Sequence, residues 1–436
     1  MKKLNVTFCS FPDFSGNAKA LFNYMQDRYE NKMNYTWIVT DEKSIDVIKK
    51  MGAEAYLSGS LECSNYLPKT DVFFSTHANL TGCKAVAPHA IYIELWHGIG
   101  PKPVGYLTKN MRDVDMQWYG DIKYIIDYMI VPSAFWKIVF ASTFDINVNQ
   151  IKDLGLPLLD EIKYSNGKNS LGKILPDVNI DKYSKIIFYM PTFRKGCGRE
   201  LSVNYFQNTL FNFDNYDDSY LLKYLENNNY LLIVKRHPSD ELNYKCIDSE
   251  YIKVINNDKL SDLGMDVNAI LNACDLLITD YSSVGIEYAF LDRPVIYVST
   301  DLKEYYDERG IILDNYDFWT DGITCDNYND MIKLIDKYIG KRRVKNNKKI
   351  LYGNLTDGGC RNICDFVFDG NKLNKSLVRH ENELLIAENK NNELEEKLDL
   401  CIEQIKKLTE SDIRLAQIEN SRSWKMLEKL RRIFRK

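Results

Sequence analysis

The sequence predicts an α/β protein built as two doubly wound, parallel-sheet domains, and three observations predict it. Short apolar runs with the look of buried strands alternate with amphipathic, helix-like stretches as far as residue 370. Those runs fall into two series separated by a stretch rich in Ser, Asn, Gly and Lys. The 436 residues, 45% hydrophobic and 27% charged, are enough for two or three full cores. The same composition excludes a disordered polymer, and a net charge of −4 excludes a general basic footprint on nucleic acid.

In chain order, the first series is Leu4 to Phe8, Tyr35 to Val39, Val72 to Ser75, Ala90 to Leu95 and Tyr128 to Val131, which predicts a first domain over 1–163. Tyr164 to Lys182 has linker composition, giving a linker at 164–182. The second series is Lys185 to Tyr189, Tyr230 to Val234, Tyr251 to Ile255, Leu276 to Thr279 and Pro294 to Val298, a second domain over 183–370. Beyond Gly370 neither Gly nor Pro occurs. Leu377, His380, Leu384, Ala387, Asn391, Leu394, Leu398, Cys401, Ile405, Leu408, Asp412 and Leu415 then follow at steps of three and four, a heptad seam that predicts a coiled-coil helix over 371–420. Its polar members, His380, Asn391 and Asp412, are of the kind that sets register and oligomer state, so a homo-oligomer is one expectation and a helix packed back on the body the other.

The last sixteen residues carry +6 against −10 on the rest, with Trp424, Leu427, Leu430, Ile433 and Phe434 near helical spacing. This is the pattern of a basic amphipathic tail, 421–436, lying on an anionic membrane surface. No apolar run is long enough to span a bilayer and the N-terminus is not that of a secretory signal, so a cytoplasmic protein, peripheral at the inner face of the cell membrane, is expected. The ten scattered cysteines read as reduced thiols, and Cys360 and Cys364, one helical turn apart with no second pair, as packing residues.

Chemistry gathers where strands end. Ile93-Glu94-Leu95-Trp96-His97-Gly98-Ile99-Gly100-Pro101-Lys102 runs a strand into a glycine-flanked imidazole, a group that titrates near neutrality and suits a base beside an attacking hydroxyl. Leu232-Ile233-Val234-Lys235-Arg236-His237-Pro238 ends another strand in three adjacent donors, fit for a phosphate. Met190-Pro191-Thr192-Phe193-Arg194-Lys195-Gly196 offers a hydroxyl and two cations in the same way. In Thr279-Asp280-Tyr281-Ser282-Ser283-Val284-Gly285-Ile286-Glu287 a strand gives way to a helix opened by two serines, whose N–H groups and hydroxyls suit an anion, with Asp280 and Glu287 as further acceptors.

Taken with their order and spacing, these four segments resemble the CDP-glycerol glycerophosphotransferase family, the polymerases of teichoic acids and related capsule polymers. Ser15-Gly16-Asn17 with Lys19-Ala20-Leu21, Val131-Pro132-Ser133, Gly155-Leu156-Pro157 and Tyr306-Asp307-Glu308-Arg309-Gly310 extend the likeness over roughly residues 1–370. The resemblance implies a GT-B-like fold, two Rossmann-like domains facing a cleft, the first holding the acceptor and the second the CDP donor. It implies transfer of glycerol phosphate, or a related polyol phosphate, from a CDP-activated donor to a hydroxyl of a lipid-linked acceptor, releasing CMP. It makes His97 and His237 the catalytic pair, with His97 the base. Gly98, Pro191, Thr192, Arg194, Lys235, Arg236, Asp280, Ser282, Ser283 and Glu287 would hold the donor and its phosphates, and Asn17 and Lys102 would lie on the acceptor side.

Some positions depart from the family pattern. Ile99 and Gly100 stand where Thr and Pro are usual, Glu287 where Asp is common, and Leu158 where an Arg follows Gly-Leu-Pro, a contact Arg199 could supply. No cofactor is implied: a divalent cation is compatible with phosphoryl transfer, but Asp113-Val114-Asp115 follows polar, non-strand sequence and reads as a solvated helix face, and Gly196-Cys197-Gly198 lacks the third Gly of a dinucleotide fingerprint. Two other readings keep parts of the same sequence: a GT-B glycosyltransferase using a nucleotide sugar, and a non-catalytic scaffold of a polymer-synthesis complex.

Overall fold

The computed structural model of the chain describes residues 3–29, 32–77, 89–109, 111, 113–192, 209–235, 248–313 and 315–369, with scattered positions beyond 370. Residues 1–376 form one compact unit and 377–436 a second.

The first unit holds two parallel sheets. Strands β1 (Leu4–Cys9), β2 (Met33–Val39), β3 (Glu54–Leu57), β4 (Val72–Ser75), β5 (Ile91–Glu94), β6 (Tyr128–Val131) and β7 (Ile151–Asp153) form a seven-stranded sheet in the order β3-β2-β1-β4-β5-β6-β7. Strands β8 (Lys185–Tyr189), β9 (Tyr230–Val234), β10 (Ile252–Val254), β11 (Leu276–Thr279), β12 (Val295–Val298) and β13 (Thr324–Cys325) form a six-stranded one in the order β10-β9-β8-β11-β12-β13. Both are doubly wound orders, in which the chain reverses direction beside the first strand, between β1 and β4 and between β8 and β11. Ligands in such sheets bind beyond the carboxyl ends of the strands at that reversal. The central strands are apolar on both faces because helices cover both sides; β4, β11 and β12 are buried at every position.

One face of the first sheet buries Val6, Phe8, Trp37 and Phe74 under the helix Gly16–Arg28, whose Ala18, Leu21, Phe22 and Met25 recur at helical spacing. The same layer contains Ile363 and Cys364 of the helix Cys360–Phe368, so the chain returns from the second sheet to close the core of the first. Asp160, on the helix Pro157–Tyr164, fixes that return: its carboxylate accepts the N–H groups of Gly358 (2.6 Å), Gly359 (3.0 Å) and Cys360 (2.7 Å). A Cβ on Gly358 would stand 2.1 Å from the Asp160 nitrogen, so only glycine permits the approach.

A second apolar layer runs between the two sheets, where Trp136 lies 5.9 Å from Trp319 and donates to the Leu351 carbonyl at 3.1 Å. The stretch expected to be a linker is ordered: it carries the helix Gly167–Ile174, capped by Asn166, and a 3-10 turn at Ile180–Lys182. Asp113–Ile125 is helical, as expected of the Asp113-Val114-Asp115 segment. Among the described residues the six cysteines are buried and form no disulfide, and no cluster of metal-ligating side chains occurs. Among them, too, no helix is long and apolar enough to cross a membrane. In the second unit the described positions are mostly helical, with an i,i+4 ion pair between Glu403 and Lys407 at 2.9 Å, and Leu394, Leu398 and Leu415 of the heptad seam exposed.

Candidate active site

The strand exits at the two reversals converge on one cleft of about 460 Å³. Ser15, Gly16, Asn17, Thr76 and His97 line it from the first sheet; Met190, Lys235, Asp266, Ser282, Ser283 and Glu287 line it from the second.

His97 leaves the carboxyl end of β5 through a tight turn in which Trp96 takes a left-handed conformation, φ +53°. A non-glycine residue there is strained and needs outside support. Three groups supply it. Glu94, wholly buried, accepts the Trp96 N–H at 2.8 Å, and the side-chain amide of Asn17 donates to the carbonyls of Leu95 (3.2 Å) and Trp96 (2.8 Å). The Trp96 ring meets Phe144 edge-on at 4.6 Å. Asn17 also accepts the Leu158 N–H at 3.0 Å, so its fully buried amide is committed to backbone. Expected as an acceptor-side contact, Asn17 here aims the turn that carries His97.

The imidazole of His97 sits in the cleft with part of its surface open to solvent. Its Nδ1 lies 3.2 Å from the Thr76 carbonyl. A carbonyl only accepts, so Nδ1 carries the proton and, in the neutral ring, Nε2 keeps the lone pair. Desolvation pulls the group down to about 4; the Thr76 hydrogen bond works against that shift and the charge of Lys102 adds to it. His97 is therefore neutral near pH 7 and able to accept a proton. Lys102, expected on the acceptor side, is close enough to act on it electrostatically.

Gly98, φ +155°, and Gly100 carry the loop past His97 against the second domain. A Cβ on Gly100 would stand 3.1 Å from the Ser283 Cα. Ser283 immediately precedes the helix Val284–Ala289 and, with Ser282, is half-buried at the cleft wall. Glu287, one turn on, is 5% exposed. Burial pushes its carboxyl up to about 8, with Asp266 adding to the shift while the Ser283 hydroxyl and Ile99 N–H oppose it. Those two contacts leave Oε1 without a hydrogen-bond partner among the described residues.

On the neighbouring strands, Lys235 leaves β9 with its N–H on the Tyr189 carbonyl (2.9 Å), and Thr192 leaves β8 with its N–H on Asp280 Oδ1 (2.8 Å). Asp280, expected to touch a ligand, is 2% exposed and braces the exits of β8 and β11 against each other. Thr192, by contrast, keeps a buried hydroxyl with no hydrogen-bond partner among the described residues. Pro191 is buried directly before it. Arg194, Arg236 and His237, with Arg199, lie outside the described residues.

Two parts of the site were not foreseen. His77, two residues past β4, stacks on His97 with ring centroids 4.1 Å apart and planes 10° from parallel. A run of three apolar residues, Val72 to Phe74, into Ser-Thr-His was visible in the sequence, but only the register of β4 on β5, which pairs Ser75 with Glu94, brings the two imidazoles level. Beside the cleft, Lys19 pairs with Glu161 at 3.4 Å, and in its lining Asp266 from the second domain accepts the Gly16 N–H at 2.8 Å. Burial and the nearby Asp266 push Glu161 up to about 7, Lys19 opposing them.

A polar recess of about 580 Å³ at the amino ends of β8 and β11 lies apart from these residues. Its cations are matched, Lys185 with Asp275 at 3.0 Å and Lys168 with Asp181 at 2.8 Å, while Arg293 donates to the Asn272 carbonyl, so it offers a phosphate little.

Comparison with known proteins agrees with this architecture. Residues 1–368 match the model of the CDP-glycerol:poly(glycerophosphate) glycerophosphotransferase family. The chain belongs to that family. A teichoic acid glycerol-phosphate primase of Bacillus subtilis is 29% identical over 345 residues, spanning 76% of this chain and 84% of its own length. A teichoic acid poly(glycerol phosphate) polymerase of the same organism is 26% identical over 72% of this chain, which covers 41% of that longer protein. In fold, the family member described here superposes on the wall teichoic acid polymerase TagF with a TM-score of 0.66 at 22% identity, over 84% of this chain and 88% of the other. The fold is GT-B-like, and the chain is an enzyme of the glycerophosphotransferase class.

Proposed function

We propose that the cleft transfers glycerol phosphate from CDP-glycerol to the terminal hydroxyl of a lipid-linked acceptor, with His97 as the general base. The acceptor oxygen attacks the phosphorus bearing glycerol, its proton passes to His97 Nε2, and the bond to the bridging oxygen breaks so that CMP leaves. Lys235 and the Ser282-Ser283 turn would hold the diphosphate, together with Arg194, Arg236 and His237. Thr192 would give its hydroxyl to the donor, behind Pro191.

The observation that carries this reading is His97, held through Nδ1 by the Thr76 carbonyl, in the same cleft as Lys235, Ser282 and Ser283. In phosphoryl transfer the protein's part is mostly positioning and charge stabilisation. The position is one that the buried Asn17 and Glu94 secure.

A lipid-linked acceptor requires the enzyme to work at a bilayer. The charge of the tail and the exposure of Trp424 (39%) and Met426 (66%) support peripheral attachment of 421–436 to anionic lipid at the inner face of the cell membrane. The exposed Leu394, Leu398 and Leu415 support pairing of 371–420 with a second copy.

Purified full-length protein, CDP-glycerol and a lipid-linked acceptor should release CMP in proportion to acceptor extended. Turnover of a UDP-sugar in preference to CDP-glycerol would refute the donor. Truncation after residue 420 should abolish binding to phosphatidylglycerol vesicles; undiminished binding would refute the role of the tail.

A further inference from the structure

We propose that His77 is a positioning residue for the transfer, its stacked ring fixing the plane of His97 and closing one face of that imidazole to water. The proposal builds on the reading of His97 as base.

Thr76 holds both rings at once. Its carbonyl takes Nδ1 of His97 at 3.2 Å, and its hydroxyl meets Nδ1 of His77 at 2.9 Å. Thr76 is itself 2% exposed, and the His77 N–H is bonded to Ser75 Oγ at 3.2 Å, so the backbone that carries the stacked ring is anchored at the end of β4. His97 also meets Trp96 at 4.1 Å, and the outer part of His77 is met edge-on by the exposed Phe11 at 5.9 Å. His97 is thus restrained through two of its ring contacts and one nitrogen, leaving Nε2 for the substrate.

Two parallel imidazoles at this distance cannot both be charged without strong repulsion, and the stack removes water that would solvate either cation. His77 is accordingly pushed far below its ordinary range by burial and by His97. Among the described residues, the other titratable groups about the pair are Lys102, which also disfavours a charged His97, Glu94 beneath the Trp96 turn, and Asp13, Lys235, Asp266 and Glu287 in the cleft lining. His77 does not line the cleft itself, which separates its role from that of a group touching substrate.

The chain has five histidines, few enough to resolve by carbon-13 labelling. The test follows the His97 ring resonance, assigned by its loss in His97→Gln, through a pH titration of the full-length wild type, His77→Ala and His77→Phe. Opening the face of His97 to water in His77→Ala should raise its midpoint by at least about one pH unit toward the ordinary value near 6.5. His77→Phe keeps a ring in the stack and should hold the midpoint within about 0.3 unit of wild type. In CMP release, His77→Ala should lose about tenfold in kcat with the KM for CDP-glycerol little changed, and His77→Phe should recover most of the loss. An unmoved midpoint in His77→Ala overturns the proposal, as does a His77→Phe midpoint that moves as far as that of His77→Ala. The titration is independent of whether His97 is the base, which is decided by the activity of His97→Ala.

Discussion

Gly98 and Glu287 meet across the cleft with no room for a side chain between them: a Cβ on Gly98 would lie 2.6 Å from Glu287 Oε1. This contact joins the loop that carries His97 to the helix that follows the paired serines, so the approach of the two domains is limited at the cleft itself.

Gly98→Ala should therefore disturb catalysis more than folding. The new methyl displaces a buried carboxylate, and φ +155° is strained for any side chain, at a cost of about 1–3 kcal/mol. Steady-state CMP release should fall about 10- to 100-fold in kcat/KM while the circular dichroism spectrum stays native. Wild-type kinetics would show that the contact does not govern the site.

Glu287 makes stability depend on pH. Its carboxyl holds a proton in the folded chain up to about pH 8, whereas in the unfolded chain it releases it near 4.5. The folded state binds more protons in that window, so stability is lost as pH rises through it; Glu161, pushed up to about 7, acts with the same sign. Glu287→Gln removes the titration and should gain on wild type by roughly 2 kcal/mol between pH 5 and pH 9, read from melting curves across the range. Parallel curves for the two proteins would contradict the burial of that charge.

Asp160 should prove as important to the fold as any core residue. Asp160→Ala strands the N–H groups of Gly358, Gly359 and Cys360 and should cost about 2–4 kcal/mol. The loss should appear as faster hydrogen exchange confined first to Cys360–Phe368. Uniform exchange across the chain would indicate that the returning helix is held by its apolar face alone.

The interior of each sheet was legible because its strands are continuous apolar runs: all ten runs read from the sequence are strands. The three that escaped are edge strands. Glu54–Leu57 and Ile151–Asp153 bury one residue each, and Thr324–Cys325 is two residues long, so none carries enough apolar pattern to be seen. In the site, residues at strand exits were legible as chemistry, since the doubly wound order puts those exits together. Roles that depend on packing were not. The sequence offered Asn17 and Asp280 as ligand contacts and gave no sign that Asn17 also clamps the Trp96 turn or that Asp280 accepts the Thr192 N–H. His77 acquires its partner only through the register of β4 on β5. The helix Cys360–Phe368 was assigned with the second domain by position in the chain, yet its apolar face lies in the core of the first sheet.

The most direct measurement compares wild type with His97→Ala for two quantities on the same preparation: CMP released in a single turnover with lipid-linked acceptor, and calorimetric affinity for CDP-glycerol. A proton acceptor that does not hold the donor should cost about 100- to 10,000-fold in the rate of release and less than about threefold in affinity. Release at the wild-type rate by His97→Ala would contradict the account.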